Sequence, residues 1–210
     1  MLTAPVISFI FINMKSALYI ILLISLLAAS VKSADIPALE QWRAFSRSDD
    51  SRQLISWLQS NAASILRGEV LSEKPPVELP EIAGRCGLFI TIIRNGKVRG
   101  CYGAFHHEQD ISQEIFIRYL KGALFLDPRY RPMEPSELDG AEIVVTITSW
   151  PEPVDNLNNV DIAAFGLFIE CEGNAGTVIV PAEFRTTSRI ASLAGKRDCR
   201  YSRFRAVTIR

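Results

Sequence analysis

The chain has 210 residues, 48% of them hydrophobic, so it is long and apolar enough to bury the core of one folded domain. Its 23 basic and 23 acidic residues cancel, so no overall charge directs it to nucleic acid or to an anionic membrane. Composition excludes little else, and the function has to be sought in local patterns.

The N-terminal segment has the layout of a secretory signal peptide. Residues 17–29 form an almost purely apolar run that follows Met14-Lys15 and precedes small residues. The run is shorter than the roughly 20 residues of a transmembrane helix. We expect translation to start at Met14, cleavage to follow Ser30 or Ser33, and the protein to be exported, to the periplasm or outside the cell. The alternative is a retained N-terminal anchor, since residues 5–13 are also apolar.

Residues 1–33 are accordingly assigned to the signal peptide, 34–50 to a lead-in segment and 51–210 to the domain. No stable membrane anchor is expected after cleavage. Within the domain, apolar residues at helical spacing predict a first helix over 51–67, which Gly68 ends.

A β-hairpin is predicted next, because Asn95-Gly96 separates two runs of strand-forming residues. A two-residue turn there places Cys101 opposite Ile90 and Cys86 opposite Phe105. The two cysteines are then about 13 Å apart, at about 3.3 Å per residue, which is too far for a disulfide. We therefore predict that Cys101 is not bonded to Cys86.

The second strand of this hairpin carries the most site-like pattern of the chain, Arg99-Gly100-Cys101-Tyr102-Gly103. Glycine has no Cβ, so Gly100 and Gly103 are predicted to let a ligand or another segment of the chain approach the backbone on either side of the thiol. Arg99 is expected on the same face of the strand as Cys101, where its charge favours the thiolate and holds an anionic substrate group. We predict Cys101 as a nucleophile and Arg99 as its catalytic partner.

His106 and His107, the two histidines of the chain, follow this strand. One of them is a candidate base for Cys101 and both are candidate ligand-binding residues, although adjacent residues of an extended segment point in opposite directions. The alternative is that both are exposed loop residues. No C-x-x-C or H-x-x-x-H spacing is present, so we predict no metal site, and no cofactor.

The rest of the chain predicts further helices and strands in alternation. Asp110 and Gln113 form a capping-box start to a helix that Asp127-Pro128 ends. The following elements are predicted from the pattern: a helical turn over 135–138, a half-buried strand over 141–148, a second hairpin over 165–171 and 177–180, a helix over 181–194 and a last strand over 204–209.

Cys171 ends one strand of the second hairpin and Cys199 lies just before the last strand. Thiols of exported proteins tend to be oxidised, so these two cysteines are expected to form a disulfide if their strands are neighbours.

Residues 185–210 carry eight basic residues against one acidic residue, Asp198. We favour a solvated face whose charge is balanced by acids elsewhere in the fold over a surface for nucleic acid or anionic lipid. No nucleic-acid partner is predicted.

Five segments of the chain follow one another in a specific order and spacing. They are Gly87-Leu88-Phe89-Ile90-Thr91, the run from Asn95 to Gly103, Asp127-Pro128-Arg129-Tyr130, Glu137-Leu138 and Trp150-Pro151-Glu152-Pro153-Val154. Together they resemble the AMMECR-type domain, the protein A component of the AmmeMemoRadiSam system, over roughly residues 50–210. Val98 and Tyr102 replace the leucine and isoleucine usual in the family's cysteine hexapeptide.

The resemblance implies a compact α+β domain with an antiparallel sheet flanked by helices, the cysteine motif near a cleft, and no settled activity. It makes Asp127 and Arg129 candidate ligand-binding residues, which could instead form a structural ion pair or end a helix. Two functions stay open: a thiol-dependent enzyme or small-molecule-binding catalyst that uses Cys101, and a non-catalytic domain that binds a small molecule or a protein while Cys101 only packs.

Overall fold

The computed structural model describes residues 35–72, 74–80, 86–105, 113–172, 176–181 and 198–210. The predicted signal peptide, both histidines, the capping residue Asp110 and nearly all of the helix predicted over 181–194 lie outside the described residues. Residues 35–210 form one compact unit. No helix in the described ranges combines the length and the apolar character needed to span a membrane.

Three helices pack against one face of the larger of two sheets: α1 (Asp35–Phe45), α2 (Asp49–Arg67) and α3 (Gln113–Phe125). Helix α2 confirms the first predicted helix, and it ends at Gly68, whose φ of 69° is in the left-handed region that glycine adopts readily. Helix α1 lies in the segment 34–50, for which the sequence predicts no element. Its side chains Leu39 and Trp42 nevertheless belong to the core of the domain.

The larger sheet is antiparallel and has the strand order β2-β1-β3-β8. Its strands are β1 (Gly87–Arg94), β2 (Lys97–Ala104), β3 (Ala141–Thr148) and β8 (Ala206–Ile209). Alternate residues of β1 and β3 are completely buried beneath the helices, among them Ile90 and Val145.

Strand β3 is buried on both faces, not on one as predicted, since Val144 and Thr146 are buried on the face away from the helices. The larger sheet is therefore covered on both faces, by the helices on the first. On the second side an aromatic cluster, in which ring centroids are 4.9 to 5.1 Å apart, connects it to the smaller sheet. The cluster consists of Phe89, Phe105, Phe168 and Phe204.

The smaller sheet has the order β4-β7-β5-β6 and is also antiparallel. Its strands are β4 (Glu152–Pro153), β5 (Gly166–Cys171), β6 (Thr177–Ile179) and β7 (Cys199–Phe204). Strands β5 and β6 confirm the second predicted hairpin. Strand β8 confirms the last predicted strand, whereas β7 lies just before it, where the sequence predicts no strand. The chain passes from β7 to β8 at Arg205, and Ser149 holds this crossing by two hydrogen bonds to the Arg205 backbone, of 2.9 and 3.0 Å.

Cys171 and Cys199 lie directly opposite each other on β5 and β7 and are joined by a disulfide, as expected for neighbouring strands. Cys86 and Cys101 are not disulfide-bonded, which confirms that prediction. The fold is α+β, with antiparallel sheets and flanking helices, as the sequence predicted. It differs from the expectation in that the strands of the described residues form two sheets.

Candidate functional site

The turn of the first hairpin has the predicted two residues, Asn95 and Gly96, with φ of 52° and 70°. Cys101 nevertheless lies opposite Thr91, not opposite Ile90 as predicted. The prediction was wrong because β2 bulges at Arg99, which has no partner on β1, and the bulge shifts the pairing of the following residues by one.

The new register brings a hydroxyl to the thiol. Thr91 Oγ1 donates a hydrogen bond to Cys101 Sγ over 3.3 Å. The N–H of Cys101 points away from β1, and cross-strand pairs that share no backbone hydrogen bond bring their side chains closest together. Thr91 is 9% exposed, whereas Cys101 is partly exposed. A donor directed at the sulfur stabilises the thiolate more than the thiol.

Asp127 fixes the backbone at the cysteine. Its Oδ2 accepts the N–H of Cys101 at 2.8 Å, and its Oδ1 accepts the N–H of Arg129 at 3.0 Å. The Arg129 guanidinium donates to both oxygens, at 2.9 and 2.8 Å. Burial by itself raises the pKa of Asp127, but the hydrogen bonds from Arg129 and from the Cys101 N–H together outweigh it and hold the pKa below its ordinary value.

The structural ion pair that the sequence allowed for Asp127 and Arg129 is therefore present. Helix α3 also ends just before it, at Phe125. The pair fastens the loop after α3 to the exposed edge of β2, beside the thiol.

The guanidinium of Arg99 is bound within the protein. Its Nε and Nη2 donate to the two carboxylate oxygens of Glu137 at 3.0 and 2.9 Å, and Nη2 also donates to the carbonyl of Arg131 at 3.1 Å. Its side chain is only 14% exposed. The guanidinium that was expected to hold a substrate anion instead ties the hairpin to the 3₁₀ turn Pro135–Glu137.

Glu137 is the common partner of several arginines. Besides Arg99, its carboxylate lies 3.6 Å from the Arg131 guanidinium and 4.0 Å from that of Arg94, and it accepts the N–H of Glu134 at 2.9 Å. The hydrogen bond from Arg99, followed by that from Glu134, lowers the pKa of Glu137 from 4.5 to about 2. Glu137 lies in one of the family-like segments, but its place at the site is not predicted from the sequence.

The two glycines beside Cys101 admit other parts of this chain, one of the two alternatives that the sequence allowed. A Cβ on Gly100 would lie 2.1 Å from the carbonyl oxygen of Ala123 in α3, and a Cβ on Gly103 would lie 2.2 Å from that of Leu88 in β1. Gly100 therefore allows β2 to pack directly on the backbone of α3.

Four of the five family-like segments meet at this site. They contribute Thr91, Cys101, the Asp127–Arg129 pair and Glu137. The fifth segment, over 150–154, leads into β4 of the smaller sheet. The signal that could have identified Thr91 and Glu137 was therefore in the sequence, but only the register and the tertiary contacts connect them to Cys101 and Arg99.

His106 and His107 lie outside the described residues, so their predicted roles are not addressed by this geometry. Within the described part of the chain, no three His, Cys, Asp or Glu side chains are close enough together to hold a metal ion.

The described part of the basic C-terminal segment is balanced by acids elsewhere in the fold, as favoured from the sequence. Arginine and carboxylate atoms lie 3.6 to 4.0 Å apart in the pairs Arg200–Glu170, Arg203–Glu152 and Arg210–Glu142. Arg205 instead lies over the ring of Phe165.

Comparison with known proteins gives one family and one fold. The sequence model of the AMMECR1 family matches residues 58–208. A protein of Methanothermobacter thermautotrophicus is 27% identical over 140 residues, which are 63% of this chain and 71% of that protein. A protein of Thermotoga maritima is 32% identical over 100 residues, and the match spans 46% of this chain and 57% of that protein.

The crystal structure of an uncharacterised protein of Pyrococcus horikoshii superposes with a TM-score of 0.58, covering 78% of this chain and 92% of that one. The two sequences are 19% identical in the superposition, so this likeness concerns the fold alone.

Proposed function

The chain therefore belongs to the AMMECR1 family, and from this premise we propose that it is a thiol-dependent enzyme in which Cys101 is the nucleophile. The observation that carries the proposal is the hydrogen bond from the Thr91 hydroxyl to Cys101 Sγ. The thiolate is the nucleophilic form of cysteine, and a hydrogen-bond donor at the sulfur favours it.

The surroundings of Cys101 support this role. The buried carboxylate of Asp127 holds the backbone N–H of Cys101, which keeps the sulfur in a defined place on a partly exposed strand. A nucleophile whose position is fixed by its supporting residues loses less free energy on reaching the reactive geometry.

The test is the alkylation of Cys101 by iodoacetamide at a series of pH values, followed by mass spectrometry of the tryptic peptides. We expect Cys101 of the folded protein to react near pH 7 roughly tenfold faster than the same cysteine in the unfolded chain. Cys86, which is 0% exposed, is the internal control and should stay unmodified while the protein is folded. A Cys101 rate no higher than that of the unfolded chain would contradict the proposal.

A second candidate function is a non-catalytic domain that binds a small molecule or a protein. It is favoured by the internal use of the residues around Cys101, since Arg99 is bound to Glu137 and Gly100 is packed on α3. In that case Cys101 reacts slowly, and the Cys101→Ser variant retains the stability and the binding partners of the parent protein.

We also propose that the protein is exported and matured by cleavage after Ser30 or Ser33. The apolar run over 17–29 supports this, and so does the Cys171–Cys199 disulfide, because such bonds persist in oxidising compartments. Mass spectrometry of the protein isolated from its native source should find Val31 or Ala34 at the N-terminus. An intact start at Met1 or Met14 would overturn the proposal.

A further inference from the structure

We propose that Arg129, not Arg99, binds the anionic group of the ligand at the Cys101 site, and that this group is a small oxyanion, a carboxylate or a phosphate. The inference rests on the proposed function, because it names the substrate class of the same site. It concerns a different property, however, and can be tested separately from the reactivity of the thiol.

The two arginines near Cys101 differ in how exposed their side chains are and in whether guanidinium N–H donors remain accessible to a ligand. In Arg99, the Nε and Nη2 donors are held by Glu137 and the side chain is 14% exposed. In Arg129, Asp127 takes Nε and one Nη2 donor, yet the side chain is 54% exposed. A guanidinium has five N–H donors, so the edge of Arg129 that does not face Asp127 can bind an oxyanion by two parallel hydrogen bonds.

Arg129 is also placed beside the nucleophile. One carboxylate oxygen, Oδ2 of Asp127, accepts both the N–H of Cys101 and the Nη2–H of Arg129, each at 2.8 Å. Because both donors meet at one oxygen, the guanidinium of Arg129 lies close to the backbone N–H of Cys101. An anion bound by this guanidinium would therefore lie near the residue that carries the thiol.

The charges around Arg129 favour an anion. The guanidinium groups of Arg99 and Arg129 lie 5.7 and 5.5 Å from the centre of the exposed Tyr130 ring, within the range of cation–π attraction. The ion pairs centred on Asp127 and on Glu137 together comprise four arginines and three carboxylates, which leaves one positive charge in excess. They are Arg94, Arg99, Arg129, Arg131, Asp127, Glu134 and Glu137.

A pair of alkylating reagents that react with the thiolate by the same displacement of iodide but differ in charge tests the inference directly. Iodoacetate carries a carboxylate and iodoacetamide is neutral, so the ratio of their rates at Cys101 reports an anion-binding group next to the sulfur. We expect Arg129→Gln to lower the ratio of iodoacetate to iodoacetamide rates about two- to fivefold, the size of a partly exposed charge interaction. A local distortion changes both rates and leaves the ratio unaffected.

Arg52→Gln is the matched control. Arg52 is likewise an exposed arginine bound to an aspartate, Asp49, but it lies on α2. Its substitution should leave the ratio unchanged. An unchanged ratio in Arg129→Gln, or an equal fall in Arg52→Gln, would overturn the inference, whereas a slow iodoacetamide reaction in every variant would contradict only the proposed nucleophile.

A second measurement does not depend on the thiol and distinguishes the two oxyanions. In the Cys101→Ser variant, titration with inorganic phosphate and separately with acetate should shift the Arg129 Nε–Hε signal in ¹⁵N spectra, with saturation, for the anion that binds. The Arg52 signal should not saturate. Linear, equal shifts of both signals with either anion would show a general salt effect and refute the inference.

Discussion

The Thr91 hydroxyl is the group expected to raise the reactivity of the Cys101 thiol, because it donates a hydrogen bond to Sγ. Thr91→Val removes the hydroxyl that donates to Sγ while keeping a branched side chain of nearly the same size in a buried position. We expect alkylation of Cys101 near pH 7 to slow about tenfold, because a hydrogen bond to a charged acceptor contributes roughly 1.5 kcal/mol. The same substitution at the exposed Thr208 of β8 should not change the rate. Equal alkylation rates in the parent protein and in Thr91→Val would show that the Thr91 hydroxyl does not stabilise the thiolate.

The site shows what a single sequence can and cannot specify for individual residues. Cys101 was identified from its local pattern and Asp127 and Arg129 from the family resemblance, and the structure brings these three together. Thr91 could not be assigned, because one bulged residue in β2 decides which residue of β1 faces the thiol. The partner of Arg99 could not be assigned either, since Glu137 is 38 residues away in the chain.

Among the secondary-structure elements, β2 and α3 approach each other through backbone atoms. Gly100→Ala places a Cβ 2.1 Å from the Ala123 carbonyl, so the helix or the strand has to move. We expect a loss of about 2 to 3 kcal/mol in the free energy of unfolding, as for other overpacked sites, measured by chemical denaturation. Gly140→Ala is the matched control, with open space but a φ of 71°, and it should lose only about 1 kcal/mol. A smaller loss for Gly100→Ala than for Gly140→Ala would disprove the close contact.

The ion pair of Arg99 and Glu137 links the hairpin to the 3₁₀ turn and gives the fold a pH dependence. The pKa of the Glu137 carboxyl is about 2 in the folded protein, against an ordinary value of 4.5. A carboxyl whose pKa is lower in the folded state contributes stability above pH 4.5, and this stability is lost as the pH falls towards 2.

Glu137→Gln should therefore lower the free energy of unfolding at neutral pH by an amount on the order of 1 kcal/mol, and the difference from the parent should disappear between pH 4.5 and 2. Urea denaturation at a series of pH values measures this. The control is Glu142→Gln. Glu142 lies on β3 and pairs with the exposed Arg210, so its substitution should lower the free energy of unfolding much less. A deficit of Glu137→Gln that persists undiminished at low pH would mean that the carboxylate charge is not what stabilises the turn.

Helices, strands and turns were predicted correctly where the segment itself contains the apolar spacing or the turn residues that specify it. Helix α2, the Asn95-Gly96 turn and strand β3 each have apolar spacing or turn residues that specify them locally. Strand β7 has the sequence Cys199-Arg200-Tyr201-Ser202-Arg203-Phe204, with charged residues that hide the alternation, and it forms because β5 and β4 pair with its two edges.

At the scale of the whole molecule, the two sheets are stabilised by different means. The larger sheet shares its core with three helices, whereas the separate core cluster of the smaller sheet, apart from the aromatic cluster with Phe204, has four buried residues among those described. They are Val160, Leu167, Ile169 and Ile179. So small a core contributes little by the hydrophobic effect, and a covalent link between strands is the device that small folded units commonly use in its place. The Cys171–Cys199 disulfide is such a link, and it closes a segment with a sequence separation of 28 residues.

Reduction of this disulfide is therefore expected to loosen the smaller sheet before the larger one. The double variant Cys171→Ala with Cys199→Ala should lose about 3 kcal/mol in the free energy of unfolding, the cost of releasing a loop of this length. Dithiothreitol should destabilise the parent protein similarly and leave the double variant unchanged, because Cys86 and Cys101 form no disulfide. Hydrogen exchange under reducing conditions should accelerate first at the amides of β5 and β7, while those of β1 and β3 retain their protection. Simultaneous loss of protection in all four strands would show that the two sheets unfold as one unit, and that the disulfide stabilises the whole domain and not the smaller sheet in particular.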